Sequence, residues 1–181
     1  MKRITLIVLI AVFGCLTMNA QKTRIGVTGG VVNAGGRVEL DGQTVKNNRQ
    51  GVYAGIVFDL RITSRIHIET EVDYLIAGNT NFIQIPLFVK FYMGDTNFYF
   101  QAGPQFSYTL DDTSEDLGKS NIALGFGAGF DLNDHVNLNL RFAPQLNDYF
   151  EGDDDEVSTK INFFSIGVAY KLTLRSKDKK G

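Results

Sequence analysis

The sequence predicts an all-β fold, an up-and-down antiparallel eight-stranded transmembrane β-barrel. Three observations lead there. Apolar side chains recur at every second position in eight successive segments between Thr23 and Leu174, and a strand turns successive side chains to opposite faces. A leader with the layout of a secretory signal peptide precedes them. Long and short connections alternate, with one exception. In bacterial membrane barrels the long loops face outward and the short turns face the periplasm.

The leader comes first. Lys2 and Arg3 give a positive start, residues 4–13 are apolar except for Thr5, and Met18-Asn19-Ala20 offers a small residue for cleavage ahead of Gln21. The apolar run is far shorter than the ~20 residues of a membrane helix. Residues 1–20 are therefore read as a signal peptide, 21–174 as the barrel domain and 175–181 as a basic periplasmic tail. Cys15 has a competing reading, because Val12-Phe13-Gly14-Cys15 loosely follows a lipoprotein signal in which the Cys is lipidated. The bulky Phe13 and the early position of Cys15 favour its loss with the leader. The mature chain then keeps no thiol, which suits an oxidising compartment.

The chain has 18 basic and 20 acidic residues, and removing Lys2 and Arg3 leaves 16 against 20. This is not the balance of a nucleic-acid binder. No apolar stretch of the mature chain is long enough for a membrane helix, so insertion requires a closed barrel.

The segments follow in order. Over 24–33, Ile25, Val27 and Val31 oppose Arg24, Gly26, Thr28 and Gly30. Over 52–63, alternate positions from Val52 to Ile62 oppose Tyr53, Gly55, Asp59 and Arg61. Over 65–76, Ile66, Ile68, Val72, Tyr74 and Ile76 oppose His67, Glu69, Glu71 and Asp73. Over 82–93, Ile83 to Met93 oppose Gln84, Lys90 and Tyr92. Segment 97–110 sets Phe98, Phe100, Phe106 and Tyr108 against Tyr99, Gln101, Gly103, Gln105 and Ser107. Segment 122–132 sets Ile122, Leu124, Phe126 and Phe130 against Gly125, Gly127, Gly129 and Asp131. Segment 136–147 sets Leu138, Leu140 and Phe142 against Asn137, Asn139 and Arg141. The last, 161–174, sets Phe164, Ile166, Val168, Tyr170 and Leu172 against Ser165, Gly167, Ala169 and Lys171, and its parity slips at Phe163-Phe164, which predicts a bulge. Long connections are expected at 34–51, 111–121 and 148–160. Short ones are expected at 63–65, 94–96 and 133–135, with a further short link at 77–81.

Alternation alone also fits a soluble lipocalin-like barrel with its apolar face inside. Two features place the polar face inside instead. Gly26, Gly30, Gly55, Gly103, Gly125, Gly127, Gly129 and Gly167 all lie on it, and an eight-stranded barrel has an interior just wide enough for side chains. The same face carries Arg24, Arg61, Lys90, Arg141 and Lys171 with Asp59, Glu69, Glu71, Asp73 and Asp131. The signs are equal in number, and buried charges must pair. Outward Phe91, Phe98, Phe100 and Tyr170 then sketch a periplasmic aromatic girdle, and Tyr74 and Tyr108 an outer one.

The stretch Ile85-Pro86-Leu87-Phe88-Val89-Lys90-Phe91-Tyr92, then Phe100-Gln101-Ala102-Gly103-Pro104-Gln105, then Gly125-Phe126-Gly127-Ala128-Gly129, resembles the bacterial outer-membrane β-barrel family often labelled porin-family or opacity-type barrels. The resemblance covers essentially residues 23–174. It implies location in the Gram-negative outer membrane and architecture, and despite the label it does not imply a pore. Ser165-Ile166-Gly167-Val168-Ala169-Tyr170-Lys171-Leu172 also resembles the last-strand signal read by the barrel-assembly machinery. Here the chain departs from the usual ending by continuing from Thr173 to Gly181.

No catalytic, cofactor or metal site is expected. Glu69, Glu71 and Asp73 at spacing two fit a proton or cation site, but a salt-bridge network explains them better. His67 and His135 fall near the periplasmic end, without an obvious nucleophile. The acidic runs Asp111, Asp112, Glu115, Asp116 and Glu151, Asp153, Asp154, Asp155, Glu156 read as solvated loops; a weaker reading has calcium or magnesium bridging them to lipopolysaccharide. The expected function is therefore structural or surface interaction through extracellular loops. The alternatives are a small passive channel, then an enzyme, then a soluble ligand-binding barrel. Expected partners are outer-membrane lipid and lipopolysaccharide, the assembly machinery and an extracellular ligand; nucleic acid is not among them. Both termini are expected in the periplasm.

Overall fold

A computed structural model describes residues 23–40, 43–110, 120–146 and 157–174. The signal peptide with Cys15, both acidic runs and the basic tail lie outside the described residues. Eight antiparallel strands close into a barrel in chain order: β1 (Thr23–Leu40), β2 (Gln43–Arg61), β3 (Ile66–Ala77), β4 (Thr80–Tyr92), β5 (Phe98–Thr109), β6 (Ser120–Asp131), β7 (Val136–Ala143) and β8 (Val157–Leu174). Closure between β1 and β8 gives every strand two paired neighbours, the condition for a sheet to stand in lipid.

The two faces differ completely in chemistry. Outward positions such as Val31, Ile56, Val72, Leu87, Val89, Leu124 and Ile166 are exposed apolar side chains. Inward positions hold Asp59, Glu69, Glu71, Lys90, Arg141 and Lys171, all buried. This is the inverse of a soluble barrel, so the lipocalin-like reading fails on the orientation of its faces. Phe91, Phe100 and Tyr170 are exposed toward the end that carries the termini, and Tyr74 and Tyr108 toward the other. Phe98 is half-buried, edge-on to Phe100 at 5.1 Å.

Four boundaries depart from the sequence expectation. The 34–51 connection is mostly sheet: β1 and β2 stay in register to Leu40↔Gln43. Likewise β8 begins at Val157, inside the expected 148–160 loop. These stretches carry Gly, Asn, Arg and Lys without apolar alternation, because strands standing clear of lipid need no apolar face. Conversely β7 ends at Ala143, where Pro144 removes a donor, and Gln145 rejoins the sheet only as an isolated bridge to Ala123. The bulge at Phe163-Phe164 is absent. The β1–β8 register runs unbroken from Leu40↔Val157 to Thr23↔Leu174, with Phe163 3% exposed inside and Phe164 41% exposed outside. What read as a slip in parity is an apolar residue facing inward.

Local chemistry sets the turns at the terminus end. The Thr63 hydroxyl accepts from the amides of Arg65 and Ile66, and the Asn133 carboxamide oxygen accepts from those of His135 and Val136. Gly94 there, and Gly78 at the opposite end, have φ of 57° and 62°, a left-handed conformation that costs glycine little. Pro86 and Pro104 break the β4 ladders locally, and Thr70 uses its hydroxyl to reach the Pro86 carbonyl at 2.9 Å.

Inward glycines make room for inward aromatics. A Cβ on Gly125 would lie 2.6 Å from the Phe88 ring, one on Gly129 would lie 2.3 Å from the Tyr99 ring, and one on Gly167 would overlap the Tyr53 hydroxyl. Gly167→Leu is therefore expected to cost roughly 1–3 kcal/mol or more through overpacking and to reduce the heat-modifiable band on SDS gels, while Val31→Leu on the outer face leaves the band unchanged.

Candidate functional site: a lumen in two compartments

The interior divides into an ionic block toward the termini and an apolar block toward the opposite end. The ionic block is built by alternation. β3 projects Glu69 and Glu71 inward, β2 Asp59, β4 Lys90, β7 Arg141, β8 Lys171 and β1 Arg24. Asp59 accepts from Arg24 Nη2 at 2.6 Å and Lys171 Nζ at 3.0 Å, and His67 Nδ1 lies 3.0 Å from its other oxygen. Glu69 accepts from Lys90 at 2.6 Å, from Lys171, and from Arg141 Nη2 at 3.4 Å. Arg141 also binds Glu71 in a bidentate fork, with both N···O distances 2.6 Å. Such planar pairs are among the stronger polar contacts. Lys90 lies 4.2 Å from the centroid of the Tyr99 ring, and Arg141 5.1 Å from that of Phe88. The network thus ties together six of the eight strands.

Of the ten charged residues expected in the lumen, Arg24, Asp59, Glu69, Glu71, Lys90, Arg141 and Lys171 meet in this block. Asp131 sits at its edge, accepting from the Tyr92 hydroxyl at 3.0 Å with Arg24 3.9 Å away. Asp73 is buried one step beyond it, with Oδ1 unpaired. Arg61 is a correction. It is exposed at the terminus-side mouth, where its Nε donates to the Thr63 carbonyl at 3.3 Å. As the last residue of β2, it clears the buried block.

The mouth is a cavity of about 510 Å³ lined by Arg24, Arg61, His67, Tyr92, Asp131 and His135 among others. Neither of its histidines stands free. Among the described residues, His67 meets Asp59, Arg24 and the Tyr92 ring, and His135 meets the Lys171 carbonyl and the Tyr170 ring. Nor do the described residues hold a cluster of three or more His, Cys, Asp or Glu side chains suited to a metal ion.

The second compartment was not anticipated from the sequence. Val32, Leu75, Ala77, Phe82, Ala143 and Phe163 face inward and pack together, with Phe82 and Phe163 edge-to-face at 5.7 Å. Its sequence signal is the run of adjacent apolar residues that interrupts strict alternation: Val31-Val32, Tyr74-Leu75-Ile76, Phe82-Ile83 and Phe163-Phe164. Alongside the ionic block, the side-chain amides of Gln101, Asn137 and Asn139 are buried with neither polar atom paired to protein. Such groups take internal water as partner.

Removing one partner of a buried pair leaves an uncompensated charge, whereas removing both is far milder. Arg141→Met is therefore expected to lower unfolding stability by about 3–5 kcal/mol in urea titrations. Adding Glu71→Leu to it should recover part of that loss.

A family model for the outer membrane protein beta-barrel domain matches residues 5–171. None of the curated proteins matches. Similar solved structures include the outer membrane protein OprG from Pseudomonas aeruginosa, at 16% identity over 85% of this chain and 98% of that one, with a TM-score of 0.47. Ail, the attachment invasion locus protein of Yersinia pestis in complex with the heparin analogue sucrose octasulfate, is 12% identical over 83% of this chain and 99% of that one, with a TM-score of 0.47. Neisserial surface protein A is 14% identical over 82% of this chain and 97% of that one, again with a TM-score of 0.47.

Proposed function

The chain belongs to the outer membrane protein beta-barrel family, and from that premise we propose that it is a sealed barrel that works through what it presents at the cell surface, without catalysing a reaction. The observation that carries this reading is the doubly closed lumen. A charge block with its ion pairs satisfied is followed by an apolar plug with Leu75 and Ala77 wholly buried. An ion crossing the barrel would have to break the first and dehydrate to pass the second.

In the same reading, residues 1–20 direct export and are removed, and both termini with the tail 175–181 stay in the periplasm. The end with the two longest connections, 110–119 and 144–156, then faces outward. The terminus-side turns are short, at 62–65, 93–97 and 132–135, as periplasmic turns are. The loops at the other end are the contact surfaces for an extracellular partner.

Planar-bilayer recording tests the seal. The refolded protein is expected to show no steady conductance, and Phe82→Ser with Phe163→Ser to raise the frequency of openings. Reproducible unitary conductance from the unsubstituted barrel would instead make it a channel. Protease treatment of intact cells is expected to cut within residues 111–119 or 147–156 and to spare the turn at Asn133.

A further inference from the structure

The cavity at the terminus-side mouth carries opposite charges on opposite walls. Arg61 ends β2, Asp95 lies in the turn between β4 and β5, and Asp134 lies in the turn between β6 and β7; all three line the cavity. In a closed ring of eight strands β2 stands opposite β6, so Arg61 and Asp134 come to the cavity from opposite sides. Among the described residues, none of the three has an ion-pair partner. The floor below them is different. There Arg24 is held by Asp59 at 2.6 Å, and Asp131 accepts from the Tyr92 hydroxyl at 3.0 Å. The floor is satisfied, while the rim keeps charges of both signs that do not reach each other.

Local bonds fix the backbone under each of these charges. Arg61 Nε donates to the Thr63 carbonyl at 3.3 Å. The Thr96 hydroxyl donates to the Met93 carbonyl at 2.7 Å and accepts from the Phe98 amide at 3.3 Å, which closes the turn carrying Asp95. The Asn133 carboxamide accepts from the amides of His135 and Val136 at 2.8 and 2.9 Å, which closes the turn carrying Asp134. A site ordered before its ligand arrives loses less entropy on binding.

The width of the mouth sets the length of the ligand. Eight strands ~4.8 Å apart and tilted by about 40° make a ring about 16 Å across. An arginine reaching in from one side and an aspartate from the other cover more than half of that, which leaves a gap of roughly 6 Å. A single amino acid carries both charges on one carbon and is too short. Two residues of extended chain, at ~3.3–3.6 Å each, span the gap. Ser64, Asn97 and Thr173 also line the cavity and offer hydrogen-bonding groups to a peptide unit. The volume of about 510 Å³ accommodates a ligand of this size.

We propose that this mouth binds a small zwitterion of dipeptide length, with its carboxylate on Arg61 and its ammonium on Asp134 and Asp95. This goes beyond the surface role and uses the other end of the barrel.

The test is isothermal titration calorimetry of the full mature chain refolded in detergent micelles, with L-alanyl-L-alanine as the probe. The unsubstituted protein is expected to bind one dipeptide. N-acetylation removes the ammonium and C-terminal amidation removes the carboxylate. Each is expected to weaken binding about tenfold or more, through loss of a charge-assisted contact. Free alanine should bind no better than either capped form. Arg61→Gln should bind the dipeptide and its amide alike, and Asp95→Asn/Asp134→Asn should bind the dipeptide and its acetylated form alike, because each variant lacks the partner of the capped group. Arg61→Lys should keep the preference for a free carboxylate. Absence of binding by protein that shows the heat-dependent gel shift overturns the proposal. So does binding indifferent to the caps, or variants that leave both end preferences unchanged. Should the double variant fail to fold, Asp134→Asn alone is read the same way. Absence of the gel shift in the unsubstituted protein would strike at the barrel reading and not at this site.

Discussion

Glu69 lies in the middle of the barrel, 1% exposed, with Lys90, Lys171 and Arg141 gathered around it. A carboxylate so placed has no water to solvate it and is tolerable only while those cations hold their positions. The cations come from β4, β8 and β7, and the carboxylate from β3. A one-residue slip of any of these strands would turn its charge toward lipid. The ionic block therefore acts as a register lock: the arrangement that pairs every one of these charges is also the one that closes the sheet.

The narrowness of the lumen follows from closure and shapes everything else inside it. Eight strands enclose so little space that Tyr53, Phe88 and Tyr99 fit only opposite glycines. Where the charges end, the remaining volume is filled with Leu75, Phe82 and Phe163. Apolar filling at one end and ionic filling at the other follow from the same requirement, that a side-chain-filled interior be packed and its charges paired, with buried Asp73, its Oδ1 unpaired, as an exception. The result is a filled barrel, beyond which β8, β1 and β2 project past the ends of the other strands.

Alternation made the fold legible because lipid on one side and a polar lumen on the other impose opposite chemistries on successive residues. It placed Asp59, Glu69, Glu71, Lys90, Arg141 and Lys171 inside. The same rule misled at its ends. Arg61 has lumenal parity but sits past the last buried layer, and parity does not state depth. Phe163 seemed to break the pattern, because an inward apolar residue looks the same as a register slip until the β1 pairing is known. The extensions to Leu40, Gln43 and Val157 carry no such signal, because a strand clear of lipid needs no apolar face.

What the sequence determined by itself was the number of strands, the face each residue takes and the inside-out polarity, since these depend on near-neighbour periodicity and on the solvent each face must meet. The tertiary structure decided which inward residues share a layer: that Arg141 forks onto Glu71 seventy positions away, and that an apolar plug caps the ionic block. Those facts depend on the stagger between strands. Stagger is set by closure of the whole barrel, which no local stretch of sequence contains.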